Sequence, residues 1–299
     1  MPRIRRDSDG DFRHTLTHVL ARKGRVSEYA SPWLASLGMS SADSQPAAAS
    51  LRPGHYPGSP VGQNHTAPVA RRVRATFDGV TVVDTTRAIY VWEHPYYPQF
   101  YIPAADVDTS LLSHDGRGKK TAQGMWSVQS LAHGERTGAG AVRLLTEPAI
   151  EGLEATYRFE WDAMDAWYEE DEEVFLHPRS PYVRVDSLRS SRRIRIEKDG
   201  VVIADSTSPV VLLETGLPAR FYLPRTDVNW ALMVTSETQT QCPYKGISTG
   251  YWSIDVNRAH HEDLAWSYDF PTRVCAPIAG LVCFYNEKVD VFIDGTPER

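Results

Sequence analysis

One stretch of this chain recurs 121 positions later, and that recurrence limits the fold more than any other feature of the sequence. RVRATFDGVTVVDTTRAIYVWE, beginning at Arg72, is echoed by RIRIEKDGVVIADSTSPVVLLE, beginning at Arg193. With that displacement Asp78 falls on Asp199, Asp84 on Asp205, Glu93 on Glu214 and Pro103 on Pro224. Phe100 and Tyr101 fall on Phe221 and Tyr222, and Asp106-Val107 on Asp227-Val228. A constant displacement over so many positions marks a duplication. After small changes in spacing, Trp126-Ser127 is expected to match Trp252-Ser253, and MDAWYE (164–169) to match VDVFID (289–294).

Apolar and polar residues alternate on either side of Asp78-Gly79 and again of Asp199-Gly200, the pattern of a β-hairpin with one buried face. Neither copy sustains a helical period, which excludes α/β layering and leaves an all-β unit of about 110 residues, present twice. The copies are expected at 71–168 and 193–299, joined by a linker at 169–192. Residues 1–70 include PAAASLRPGHYPGSPVGQNH, too rich in Pro, Gly, Ser and Ala to bury a core, and read as a disordered tail. Within it Leu16, Val19 and Leu20 share one face of a short helix at 14–23, marginal on its own. The acidic run 169–173 reads as a solvated linker, with chelation of a hard cation as the alternative. The proline-rich 177–181 reads as a fixed turn into the second copy.

Charge and cysteine usage exclude several classes. With 32 basic against 38 acidic residues the chain has no broad positive field for nucleic acid. It contains neither an apolar run of about 18 residues for a membrane span nor an apolar signal core. Cys242, Cys275 and Cys283 show no CxxC spacing, which argues against a disulfide framework and a zinc site. The expectation is a soluble, cytoplasmic protein without metal or cofactor. A transit peptide is the alternative, opposed by Asp7, Asp9 and Asp11 among Arg3, Arg5, Arg6 and Arg13.

Chemistry concentrates in QCPYKGISTGYW (241–252). Together with ETGLPARFYLPRTDV (214–228), DLAWSY (263–268), IAGLVCFY (278–285) and the connecting MDAWYEEDEEVFLHPRSPY (164–182), it resembles the tandem form of the domain of unknown function 427, sometimes labelled nucleotidyltransferase-like. The resemblance covers about Arg72 to Gly295 and is closer in the second copy. It implies two tandem β-tent domains, each of two antiparallel sheets meeting at an angle with a pocket between them. Of the zinc and ligand sites found in that fold group only the pocket carries over, because the zinc cysteine pairs are missing. Against the nucleotidyltransferase label, the chain has no glycine-rich phosphate loop and no paired-Asp motif. The first copy reads HDGRGKKTAQGM where CPYKG stands in the second, and has no counterpart of DLAWSY.

Cys242 is either a nucleophile, its thiolate favoured by Lys245, or a buried thiol. His260 and His261 are either its partners or an exposed loop. Lys245, between Pro243-Tyr244 and Gly246, is expected to project its amine from a loop, as an anion contact or a solvated lysine. Glu93 and Glu214 end equivalent strands, as structural hydrogen-bond acceptors or as acid/base groups. Tyr101 and Tyr222 should face oppositely to Phe100 and Phe221. Trp252 reads as core through its match to Trp126, whereas Trp266 and Tyr268, two apart and unique to the second copy, read as a ligand wall. Cys275 and Cys283 read as core. The leading expectation is a pocket in the second copy for a small polar or anionic molecule, lined by Glu214, Tyr222, Cys242, Lys245, Trp252, Trp266 and Tyr268. A Cys-dependent or nucleotide-using enzyme with Cys242 and Lys245 as catalytic groups, and a purely structural interaction module, are the alternatives.

Overall fold

The Asp-Gly pairs turn the chain as their composition dictates. Asp78 and Gly79 have φ of 50° and 76°, and Asp199 and Gly200 have 49° and 76°. Two consecutive positive φ values match the right-handed twist of the flanking strands and join them tightly. Val73–Phe77 thereby pairs with Val80–Thr85, and Ile194–Lys198 with Val201–Ser206, each pair with a register shift at the equivalent place. Arg72 clasps Asp84 as Arg193 clasps Asp205. In this computed structural model, which describes residues 56–58 and 61–298, the duplication is therefore visible down to individual ion pairs.

Each copy contains a seven-stranded and a four-stranded antiparallel sheet, and the second adds a two-stranded hairpin. The first large sheet runs Thr66–Pro68, Ile89–Val91, Gln99–Pro103, Thr156–Phe159, Arg136–Pro148, Gly124–His133, Leu112–Thr121. The second repeats that order as Val185–Arg189, Val210–Glu214, Arg220–Leu223, Val282–Phe284, Ala259–Ser267, Gly250–Val256, Met233–Thr235. The larger cores draw on both sheets of a copy, Val73, Phe77, Phe100 and Trp167 in the first, and Ile194, Ile196, Phe221 and Phe284 in the second. Because strand side chains alternate, the other face of each large sheet carries its own cluster. It holds Val91, Tyr101 and Trp126 in the first copy, and Val210, Leu212, Tyr222, Tyr251, Trp266 and Tyr268 in the second. Tyr101 and Tyr222 do face away from Phe100 and Phe221.

The structure departs from the sequence reading at four places. Thr66–Pro68, inside the expected tail, pairs with Ile89–Val91, and its twin Val185–Arg189, inside the expected linker, pairs with Val210–Glu214. Short edge strands, one with a proline, leave no alternation to read. Second, Glu169 is not solvated: it pairs with Val73 across the sheet, is buried, and meets the Arg71 guanidinium. Third, Trp126 and Trp252 face opposite ways. The first copy shifts register between Met125 and Trp126, the second between Trp252 and Ile254, and a one-residue slip turns a side chain to the other face. Fourth, Trp167 lies opposite Ala75 while Val291 lies opposite Ile196, so VDVFID matches MDAWYE one residue out of step. The helix expected at 14–23 and the arginines at the start of the chain lie outside the described residues. Among the described residues no helix is long and apolar enough to cross a membrane.

Candidate functional site

Four central strands of the second large sheet set one row of side chains across its outer face. Tyr222 lies opposite Cys283, Cys283 opposite Trp266, and Trp266 opposite Tyr251. The Trp266 Nε1 donates to the Tyr222 hydroxyl at 3.3 Å, and its ring lies 4.4 Å from that of Tyr285. Tyr268, two residues on, joins the same cluster, as the spacing predicts. Glu214 ends the neighbouring strand, shares by alternation the face of Val210 and Leu212, and is only 6% exposed.

Such a carboxylate needs a cation, and a turn supplies it. The connection from Met233–Thr235 to Gly250–Val256 contains a small two-stranded hairpin in which Gln241 pairs with Ile247 and Cys242 with Gly246. Pro243, Tyr244 and Lys245 form its bend. In the first copy only Ala122 and Gln123 separate the equivalent strands. Gly246 has φ of 98°, a conformation costly for any residue with a Cβ, and the chain reverses there. Lys245 consequently does not project into solvent: it is 6% exposed and its ammonium donates to the Glu214 carboxylate, with the Cys242 sulfur 3.7 Å away. Turn composition suggested exposure, but the attraction of an otherwise unpaired buried carboxylate prevails.

Several contacts latch the turn, and sequence reasoning missed them. The Ser180 N–H donates to the Tyr244 hydroxyl at 2.9 Å, and the Arg179 Nε donates to the Pro243 carbonyl at 2.9 Å. From the other side the Thr272 N–H donates to the Lys245 carbonyl at 3.0 Å, and its hydroxyl to the Tyr244 carbonyl. The composition of 177–181 marked a fixed turn without naming what it holds.

In the first copy the same carboxylate is neutralised differently. Arg158 Nε donates to Glu93 at 2.9 Å, and the Tyr101 hydroxyl donates to Glu93 at 3.3 Å. Ile102 pairs with Tyr157 as its counterpart Leu223 pairs with Val282, so Arg158 holds the strand position that Cys283 holds in the second copy. One copy draws its cation from a central strand. The other has a thiol at that position and draws its cation from a turn.

Burial sets the protonation states. It pushes the Cys242 thiol above its ordinary value, although the residue is partly exposed and the Lys245 ammonium pulls the other way. Burial alone would lower the Lys245 amine, but the Glu214 carboxylate it donates to outweighs that and holds the amine well above its usual value. Burial likewise raises the Tyr222 and Tyr268 hydroxyls, pushes Cys275 up to about 11 and Cys283 to about 12. None of these thiols is poised as a thiolate near neutral pH.

Six of the seven expected lining residues, Glu214, Tyr222, Cys242, Lys245, Trp266 and Tyr268, meet on one side of the large sheet, but this is its outer face and not the space between the two sheets where the pocket was expected, because the core fills that space. Trp252 does not, because it belongs to the core between the sheets, 5.3 Å from Trp230 and beneath the Arg225 guanidinium. His260 is bonded to Asp255 and His261 lies 2.9 Å from Asp199, so neither serves Cys242. Among the described residues no three His, Cys, Asp or Glu side chains are arranged to hold a metal ion. All of the converging residues except the partly exposed Cys242 are buried. Surface hollows of about 450 Å³ at Tyr56, Tyr182, Arg184 and Thr215, and of about 250 Å³ at Arg193, Arg195 and Phe292, lie elsewhere.

The family model described as a domain of unknown function, DUF427, matches residues 65–170 and again residues 186–295. Comparison with curated proteins finds no match.

Proposed function

The chain belongs to the DUF427 family and carries two copies of its domain; from that premise we propose that the second copy binds a small polar molecule, admitted when the turn 242–246 lifts. The observation that carries this reading is the source of the cation. Arg158 is carried by a central strand and also meets Glu160, whereas Lys245 is carried by a short turn that ends at Gly246, so a movement of that turn draws Lys245 from Glu214. The partly exposed Cys242 marks the way in. Phe270, 86% exposed, stands on the segment against which Gly246 packs and offers an apolar lip to an entering molecule. Tyr222, Trp266 and Tyr268 form the wall, and Glu214 and Lys245 supply the polar contacts that fix orientation. A thiolate nucleophile at Cys242 is the poorer reading, since burial keeps that thiol protonated and no histidine reaches it.

Thermal unfolding of the intact chain against a set of small polar and anionic metabolites tests the proposal. A ligand at 100 times its Kd adds about 2.7 kcal/mol. For a folded region of this size that moves Tm by about 5 to 10 °C. The shift should vanish in Lys245→Met and persist in Trp252→Phe. A wild type indifferent to every compound, or a Lys245→Met variant that responds equally, would refute it.

A further inference from the structure

The site described above is electrically closed, and that constrains what it admits. Glu214 is matched by Lys245, and on the far side of Trp266 and Tyr285 the Arg220 guanidinium is matched by both oxygens of Glu287, at 2.8 and 2.7 Å. Glu214, Lys245 and Arg220 are each more than nine-tenths buried. The neighbouring thiol and hydroxyls of Cys242, Tyr222 and Tyr268 are held neutral by burial. No net charge awaits a counter-ion.

A singly charged guest would have to part Lys245 from Glu214 and could satisfy only one of them. The abandoned partner would stay buried and uncompensated, which is among the costliest arrangements a protein interior can hold. A guest with both signs avoids this. Its carboxylate takes Lys245, its ammonium takes Glu214, and one internal ion pair becomes two intermolecular ones with no change of net charge. The Tyr268 side chain, which interacts with Lys245 and Glu214, supplies an apolar ring for the carbon skeleton.

Resting on the proposed binding role of the second copy, we infer that its ligand is a zwitterion carrying an ammonium and a carboxylate on one small skeleton, of the amino-acid class. Discrimination follows from the ion pair. Deleting either charge from the ligand strands one buried partner and lowers affinity on the order of a hundredfold.

The test measures thermal shifts and calorimetric binding of the intact chain with the twenty standard L-amino acids, with the matched amines lacking the carboxylate, and with the matched acids lacking the amine. Neutral sugars and inorganic phosphate complete the panel. The expected result is that at least one amino acid binds, and that its amine and acid analogues bind about a hundredfold more weakly. In Glu214→Gln, whose site keeps only the cation, the preference should reverse toward the acid. Equal binding of the acid and the amino acid by the wild type, or binding of sugars or phosphate alone, overturns the inference while leaving the ligand-binding role standing. Silence of the whole panel removes both. Lack of any reversal in a folded Glu214→Gln variant overturns the inference by itself.

Discussion

Lys245→Met keeps most of the side-chain volume and removes the charge, leaving Glu214 buried without its cation. Breaking a buried pair from one side costs about 3 to 5 kcal/mol. The carboxylate has one escape, which is to take up a proton, and from the ordinary glutamate value of about 4.3 this costs about 1.36 kcal/mol for each pH unit above it, or about 3.7 kcal/mol at pH 7. The penalty is therefore capped near that value and shrinks as pH falls, to about 1 kcal/mol at pH 5. The sign follows from linkage: in the variant the folded state binds the extra proton, so stability relative to wild type is lost as pH rises above 4.3. The first copy suggests the rescue. In Lys245→Ala with Cys283→Arg, the cation returns from the strand position that Arg158 occupies beside Glu93. Urea unfolding at pH 5 and pH 7 reads both effects, with at least half of the loss expected back in the double variant. A Lys245→Met penalty under about 1 kcal/mol at pH 7, or one that does not change with pH, would refute the reasoning.

Burial depresses the His177 imidazole to about 4. Its contribution is therefore complete above about pH 6.5 and is lost as pH falls toward 4, by up to about 3 kcal/mol, and His177→Phe should flatten the stability curve over that window. Cys242 in the native protein should react with iodoacetamide no faster than an unfolded control at pH 7.5, because its thiol is raised by burial. Gly246→Ala forces a side chain into φ of 98°, and should cost about 1 to 2 kcal/mol by urea unfolding with little steric clash, the nearest neighbour being 3.7 Å away. Tyr244→Phe removes the acceptor of the Ser180 N–H and should cost about 1 kcal/mol by the same assay.

Alternation and turn chemistry made the duplicated hairpins readable, because Asp-Gly at 78–79 and 199–200 fixes both the turn and the face of every flanking side chain. Strand alternation by itself sets Tyr222 opposite in facing to Phe221 and puts Trp266 and Tyr268 in one cluster. Facing was lost at the register shifts, which leave no mark in composition; there Trp126 and Trp252 part company. Three-residue edge strands such as Thr66–Pro68 were invisible for a related reason, since two or three residues cannot establish a period. In the candidate site, the residue types in CPYKG were legible but the fate of Lys245 was not. Local composition describes the turn, whereas its burial is decided by Glu214, 31 positions earlier in the chain. The latches from Arg179, Ser180 and Thr272 to the same turn are likewise long-range choices that no local rule anticipates.

Native-state hydrogen exchange compares the two cation sources directly. The amides of Gly246 and of Thr272, which donates to the Lys245 carbonyl, should exchange through a local opening of the turn well below the global unfolding free energy, while those of 157–159 around Arg158 exchange only with global unfolding. Equal protection of the turn and the strand would contradict the claim that the second copy carries its charge on an element that can open.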